Sequence, residues 1–181
     1  MAAVAGPWLP PSWIYNSMQT ESFVNGVWSE ILRSYFPLNS AMTNNHYLVL
    51  PEYWVWNNKR TDLVVKHIDG NGNVNNDQTV FAFEGKTVGA NFDDTKAQLL
   101  YYVKRLQRHS NGKKYGMLGI GKNCAFFYYN GQNLINLVAN VGGGVGDYPS
   151  PHDIRTYAFG VGPDAECIDR ILRYIVDKLE T

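Results

Sequence analysis

The chain is poor in cysteine, in long apolar runs and, over one stretch, in acid. Cys124 and Cys167 are the only cysteines among 181 residues, and neither has another cysteine at ligand spacing. A disulfide framework and a cysteine-based zinc site are therefore excluded, and both thiols read as ordinary buried side chains. No apolar stretch reaches the roughly 18–20 residues that a membrane helix needs, because charges, Asn or Gly break every run. The beginning, Met1-Ala-Ala-Val-Ala-Gly-Pro-Trp-Leu-Pro-Pro, lacks a basic segment and its apolar run is cut by proline, and no Asn-x-Ser/Thr sequon occurs. These features lead us to expect an intracellular protein, cytoplasmic or nuclear, with no membrane association. His46, His67, His109 and His152 are scattered, so no Ser-His-Asp order and no His-x-x-x-His pair emerges.

What is present is apolar mass and a lopsided charge distribution. Hydrophobic residues make up 45% of the chain and charged ones 18%, enough apolar surface to offset the ordering entropy of one compact domain over residues 1–181. The formal net charge is zero, yet no Asp or Glu occurs from Thr95 to Gly146, while Lys96, Lys104, Arg105, Arg108, Lys113, Lys114 and Lys122 all fall there. A one-sided basic segment is an anion-binding footprint or, equally, a solvated helix face followed by a basic turn.

Hydrophobic spacing gives the element order. Val24, Val27, Trp28, Ile31, Leu32 and Tyr35 recur at helical steps and predict a first helix over about Thr20–Tyr35. Tyr47–Trp56, broken at Pro51, then Thr61–Ile68 and Gln78–Lys86 read as strands, with the turn formers Asp69–Asp77 as a long hairpin loop. Asp93 and Asp94 open a helix from Thr95 to His109, stopped by Asn111-Gly112. Tyr115–Ile120 and Cys124–Tyr129 are strands, a Gly-rich loop spans Gly142–Pro151, and an amphipathic helix covers about Asp164–Leu179. The expected fold is α/β, a mixed central β-sheet flanked by α-helices.

Most motif-like stretches fail on chemistry. The Asp69 loop has Asp69, Asn71 and Asn73 where a calcium loop has ligands, but Val74 stands where Gly is needed and Val80 where a bidentate Glu is needed. Gly116–Lys122 copies part of a P-loop, yet Asn123 replaces the metal-binding hydroxyl and a strand follows instead of a helix. The Gly142–Gly146 loop lacks the strand-turn-helix setting of a dinucleotide fingerprint.

One constellation survives. Strand alternation puts Glu84 and Lys86 on one face at the end of an otherwise apolar strand, and hairpin pairing brings Asp62 close to Glu84. Two carboxylates that close call for a cation between them, a divalent metal. The alternative is a structural salt bridge of Lys86 with one acid.

Asp62, then a hairpin, then Glu84-Gly85-Lys86, then a helix carrying Gln98-Leu-Leu-Tyr-Tyr102 resembles the PD-(D/E)XK nuclease superfamily. The Gln-x-x-x-Tyr helix is similar to that of its RecB-type members. The resemblance covers about Glu21–Tyr129 in an α-β-β-β-α-β order, with Thr61 where the family name has Pro, and leaves the C-terminal helix and Gly-rich loop unexplained. It implies a restriction-endonuclease-like fold and a DNA nuclease leaving 5′-phosphate ends. It also implies Asp62 and Glu84 as ligands of Mg²⁺ or Mn²⁺, the Gly85 carbonyl as a further ligand, and Lys86 to activate water and stabilise the phosphate charge. Gln98 and Tyr102 would support the site.

Many members also place a Glu of the first helix near the metal, and helical phase favours Glu21, beside the buried stripe, over Glu30 on the polar face. Lys96, Lys104, Arg105, Arg108, Lys113 and Lys114 are the residues expected to track a nucleic-acid backbone, and exposed Trp54 or Trp56 to stack bases where they are not core. The rival expectation is a catalytically inactive module of the same fold that binds nucleic acid or a protein partner. RNA in place of DNA, and a homodimer, stay open at this point.

Overall fold

The computed structural model describes residues 12–38, 46–56, 59–68, 78–106, 114–147, 154–160 and 162–180. A short helix α1 (Ser12–Ser17) precedes α2 (Glu21–Tyr35), and the strands β1 (His46–Trp56), β2 (Lys59–Ile68) and β3 (Gln78–Lys86) follow. Next come α3 (Phe92–Arg105), β4 (Lys114–Ile120), β5 (Asn123–Tyr129), β6 (Leu134–Ala139), β7 (Val145–Asp147), β8 (Tyr157–Ala158) and α4 (Gly162–Glu180).

The helices begin where the sequence offers an acceptor for their free amides. Thr20 Oγ1 accepts from the Phe23 amide at 3.4 Å to start α2, and Asn91 Oδ1 accepts from the Asp94 amide at 3.0 Å to start α3. Glu21 in α2, and Asp93 and Asp94 in α3, occupy first turns, where the helix dipole favours acid.

Strands β1 to β7 lie side by side in chain order, with β8 added to β5. All pairings are antiparallel except β3 with β4. A parallel pair needs a crossover between its strands, and α3 supplies it. The sheet buries both faces. Phe81, Phe83, Met117 and Phe126 join Trp28, Ile31 and Leu32 of α2 and Ile171, Leu172 and Ile175 of α4 in one cluster. Ala82, Leu118, Ala125 and Phe127 join Leu99 and Val103 of α3 in the other. The expected mixed sheet flanked by helices is thus observed. No helix among the described residues is long and apolar enough to cross a membrane.

The structure departs from the sequence reading in particular places. Helix α3 ends at Arg105 rather than His109, because Leu106 turns to an extended conformation at φ −65° and ψ 150°. The expected stop at Asn111-Gly112 and the hairpin loop Asp69–Asp77 lie outside the described residues, while β2 and β3 on either side of that loop pair antiparallel. Three unexpected strands, β6, β7 and β8, extend the sheet. The run Leu-Ile-Asn-Leu-Val-Ala of β6 hides its strand character behind Asn136, a buried polar residue whose Nδ2 donates to the Phe126 carbonyl at 2.9 Å and whose Oδ1 accepts from the Arg155 amide at 2.8 Å. The Gly-rich stretch enters the sheet as β7, pairing Val145 with Ala139 and Asp147 with Leu137. Cys124 and Cys167 are buried free thiols, as expected.

Lys114 corrects another expectation. Its side chain is 5% exposed, and its ammonium donates to the carbonyls of Val103 and Lys104, both at 3.0 Å. It caps the end of α3 from the neighbouring strand and is not presented for a phosphate backbone. Because the variant loses two charge-assisted hydrogen bonds to the last carbonyls of α3, Lys114→Ala is expected to lower stability by about 2 kcal/mol, measured by urea unfolding.

Candidate functional site

The site forms where the start of β2 meets the end of β3. The register pairs Leu63 with Phe83 and Val64 with Ala82, so Asp62 and Glu84 are the next residues outward on their strands. Alternation places Ala82, Glu84 and Lys86 on the α3 face of β3. The carboxylate of Asp62 turns inward and accepts the Gly85 amide on Oδ2 at 2.7 Å. Asp62, Glu84, Gly85 and Lys86 are brought together as the sequence predicted, and Glu21 at the start of α2 joins them.

Lys86 is the centre of this group. Its Nζ lies 2.6 Å from Glu84 Oε1, 3.5 Å from Glu21 Oε2 and 3.7 Å from Asp62 Oδ2, and also donates to the Gly85 carbonyl at 2.9 Å. The Glu84 side chain has no solvent exposure, whereas that of Glu21 is 48% exposed. Among the described residues no group of three or more His, Cys, Asp and Glu is gathered to hold a metal ion; the lysine ammonium stands among the carboxylates instead. Glu84 Oε2, however, is buried with no hydrogen-bond partner. A dry carboxylate oxygen without a donor, in the field of a second carboxylate, is a setting that a divalent cation satisfies.

The electrostatics follow from burial. Glu84 is pushed up to about 7, first by desolvation and then by the charge of Asp62, against the hydrogen bond and charge of Lys86. Burial also raises Asp62, opposed by the Gly85 amide and by Lys86. For Lys86 burial works against the charge, but the hydrogen bond to Glu84 and the charges of Glu84, Asp62 and Glu21 outweigh it and hold the group above its usual value.

Sequence reasoning missed Asn25. It lies one turn after Glu21 on α2, its side chain hydrogen-bonds to Asp62, and its Oδ1 is buried without a partner. A Cβ on Gly85 would lie 2.0 Å from that Oδ1 and 2.9 Å from a ring carbon of Phe83. Asn25 therefore fills the space that a side chain at position 85 would need, which explains why the residue between Glu84 and Lys86 is glycine. The signal was the i, i+4 spacing from Glu21 to Asn25. Glu21, Ser22, Asn25, Glu52 and Asp62 line a cleft of about 520 Å³ that opens beside the site toward β1. Glu30 lies on the outer face of α2, paired with Arg33 at 2.6 Å.

On α3, Gln98 Nε2 donates to the Tyr102 hydroxyl at 3.1 Å. Burial raises the Tyr102 phenol, and the charges of Glu84 and Asp62 add to the rise, so this pair sits within the field of the site. The basic residues divide. Lys104 and Arg105 are exposed at the end of α3, and Lys96 is half-buried with its ammonium 5.8 Å from the Phe127 ring centroid. Lys114 is buried as described, and Arg108 and Lys113 lie outside the described residues.

The raised Glu84 carboxyl predicts an unusual pH profile. The folded state binds this proton more tightly than an unfolded chain with its glutamate near 4.5, so the contribution is fully present below pH 4.5 and is lost as pH rises through about 7. Thermal unfolding in EDTA is expected to show wild type losing about 3 kcal/mol across that interval relative to Glu84→Gln. Parallel profiles for the two proteins would show that Glu84 ionises normally.

No family model, no curated protein and no solved structure matches this chain.

Proposed function

We propose that the chain is a metal-dependent nuclease of the PD-(D/E)XK type, with a restriction-endonuclease-like core, hydrolysing DNA phosphodiester bonds to leave 5′-phosphate ends. The observation that carries this reading is the fully buried Glu84, its Oε2 without a donor, set beside Asp62 and Lys86 on adjoining strands. The order α2, β1, β2, β3, α3, β4, with Gln98 and Tyr102 on α3 beside the acids, supports it further.

Mg²⁺ or Mn²⁺ would be held by Asp62, Glu84 and the Gly85 carbonyl, with Glu21 at the margin, and when bound would neutralise phosphate charge and make water more acidic. The remaining chemistry belongs to the chain. Asn25 and the Gly85 amide fix the Asp62 carboxylate. Lys86, whose ammonium stands among these acids, would orient the attacking water and stabilise the negative charge that develops on the phosphate. Gln98 holds the Tyr102 hydroxyl within the field of Glu84 and Asp62.

A second reading rests on the same lysine. Lys86 within 3.7 Å of three carboxylates is also a closed ion-pair network, and a scaffold that binds nucleic acid or a protein without cutting needs no more than that.

Metal separates the two. For a nuclease, Mn²⁺ is expected to raise the unfolding temperature of wild type and to do so at least as strongly for Lys86→Ala, in which no ammonium competes for the acids. Lys86→Ala is also expected to lose cleavage of plasmid, linear duplex and single-stranded DNA in Mg²⁺ or Mn²⁺ while keeping DNA binding. Cleavage undiminished in that variant sinks the assignment. Absence of any metal-induced shift, with no cleavage by wild type, favours the scaffold.

A further inference from the structure

The rim of the candidate site carries aromatic rings paired with cations. Trp54 is 56% exposed, and the register sets it opposite Arg60, whose guanidinium lies 4.7 Å from the indole centroid. Arg60 also pairs with Glu52 at 2.6 Å. Arg60 and Asp62 are two positions apart on β2, so the Trp54–Arg60 pair faces the same side of the sheet as that acid, about 7 Å along the strand. Beside it, Lys59 reaches across from β2 to Tyr101 of α3, with its ammonium 4.6 Å from the ring centroid, and Arg105 lies 3.5 Å from the same ring. Tyr101 in turn meets Tyr102 edge-on at 5.7 Å. Two routes thus lead outward from the acids: Asp62 to Arg60 to Trp54, and Tyr102 to Tyr101 to Lys59 and Arg105.

We propose that this rim is a track for single-stranded DNA, on which Trp54 and Tyr101 stack bases and Lys59, Arg60 and Arg105 pair with phosphates. The inference rests on the nuclease reading for its choice of DNA and deepens it by naming the strand form. Three cations against one acid, Glu52, make the rim complementary to a phosphate backbone. Ring faces beside those cations suit unpaired bases, because every base offers a π-face once it leaves a duplex, whereas a duplex keeps its faces stacked inside. A base arriving over either ring displaces a cation that then turns to the adjacent phosphate, so stacking and charge pairing reinforce each other. The side chain of Trp56 lies outside the described set, so the track is built on Trp54 and Tyr101 alone.

The test is binding without cutting. Fluorescence anisotropy in EDTA would compare a labelled oligo(dT) of about 12 nucleotides with an abasic strand of equal length, a duplex and oligo(rU). Wild type is expected to bind oligo(dT) about ten-fold more tightly than the abasic strand or the duplex. Trp54→Ala and Tyr101→Ala are each expected to lose that advantage and to keep wild-type affinity for the abasic strand. Phe23→Ala removes an aromatic residue of similar exposure, 50%, from α2, and is expected to bind as wild type. Equal binding of oligo(dT) and abasic strand by wild type, undiminished binding in Trp54→Ala, or an equal loss in Phe23→Ala would overturn the track. Tighter binding of oligo(rU) than of oligo(dT) would overturn the assignment to DNA. A protein that shows the expected binding but cuts nothing keeps the track and loses the nuclease reading. One that cuts while binding duplex and single strand alike does the reverse.

Discussion

Burial of Glu84 is the constraint on which the site depends. A carboxylate with no access to water is costly unless it is protonated or neutralised by a nearby positive charge. Lys86, two residues along the same strand, supplies that charge, and strand alternation is what allows it to do so. Glu21 and Asp62 then gather around the lysine, and Asn25 gathers around Asp62. Each polar residue is placed by the need to compensate the one before it. In the proposed function the same need draws a metal to Glu84, so an arrangement that is expensive for folding becomes the driving force for cofactor capture.

Among the described strands, the fold serves this arrangement through a single break in its symmetry. Six strand pairings are antiparallel, while β3 and β4 run parallel. The crossover this requires lays α3 over the acidic end of β3 and brings Gln98 and Tyr102 to the acids. A plain meander would leave that face without a helix. Lys114, hidden at the start of β4, fastens the far end of α3 to the strand that the crossover delivers.

How legible all this was in the sequence depended on the range of the interaction. The α2 stripe, the β3 strand and the α4 stripe were readable because their periodicity is local, and Asp62 beside Glu84 followed because a hairpin fixes its own register. Strand β6 was missed since Asn136 is satisfied by Phe126 and Arg155, both distant in sequence. Lys114 looked like a surface cation because nothing near it in the chain tells of the helix end that it caps. Asn25 went unnoticed for the same reason, its meaning coming from Asp62 and from the missing side chain at Gly85, whose place it takes. Whether the lysine belongs to a catalyst or to a scaffold is a matter of chemistry that neither periodicity nor packing encodes.

Strand β1 stands at the end of the strand order, and it holds both the exposed Trp54 and an interruption. Pro51 offers no amide hydrogen, and Glu52 adopts φ 48°, a conformation that side chains other than glycine seldom take. An outermost strand with an uninterrupted row of donors and an indole on its surface would invite other chains to add to the sheet. Withholding one donor and twisting the next residue spoils that template. The strand that carries the exposed indole is thus also the one whose backbone is least suited to template another strand.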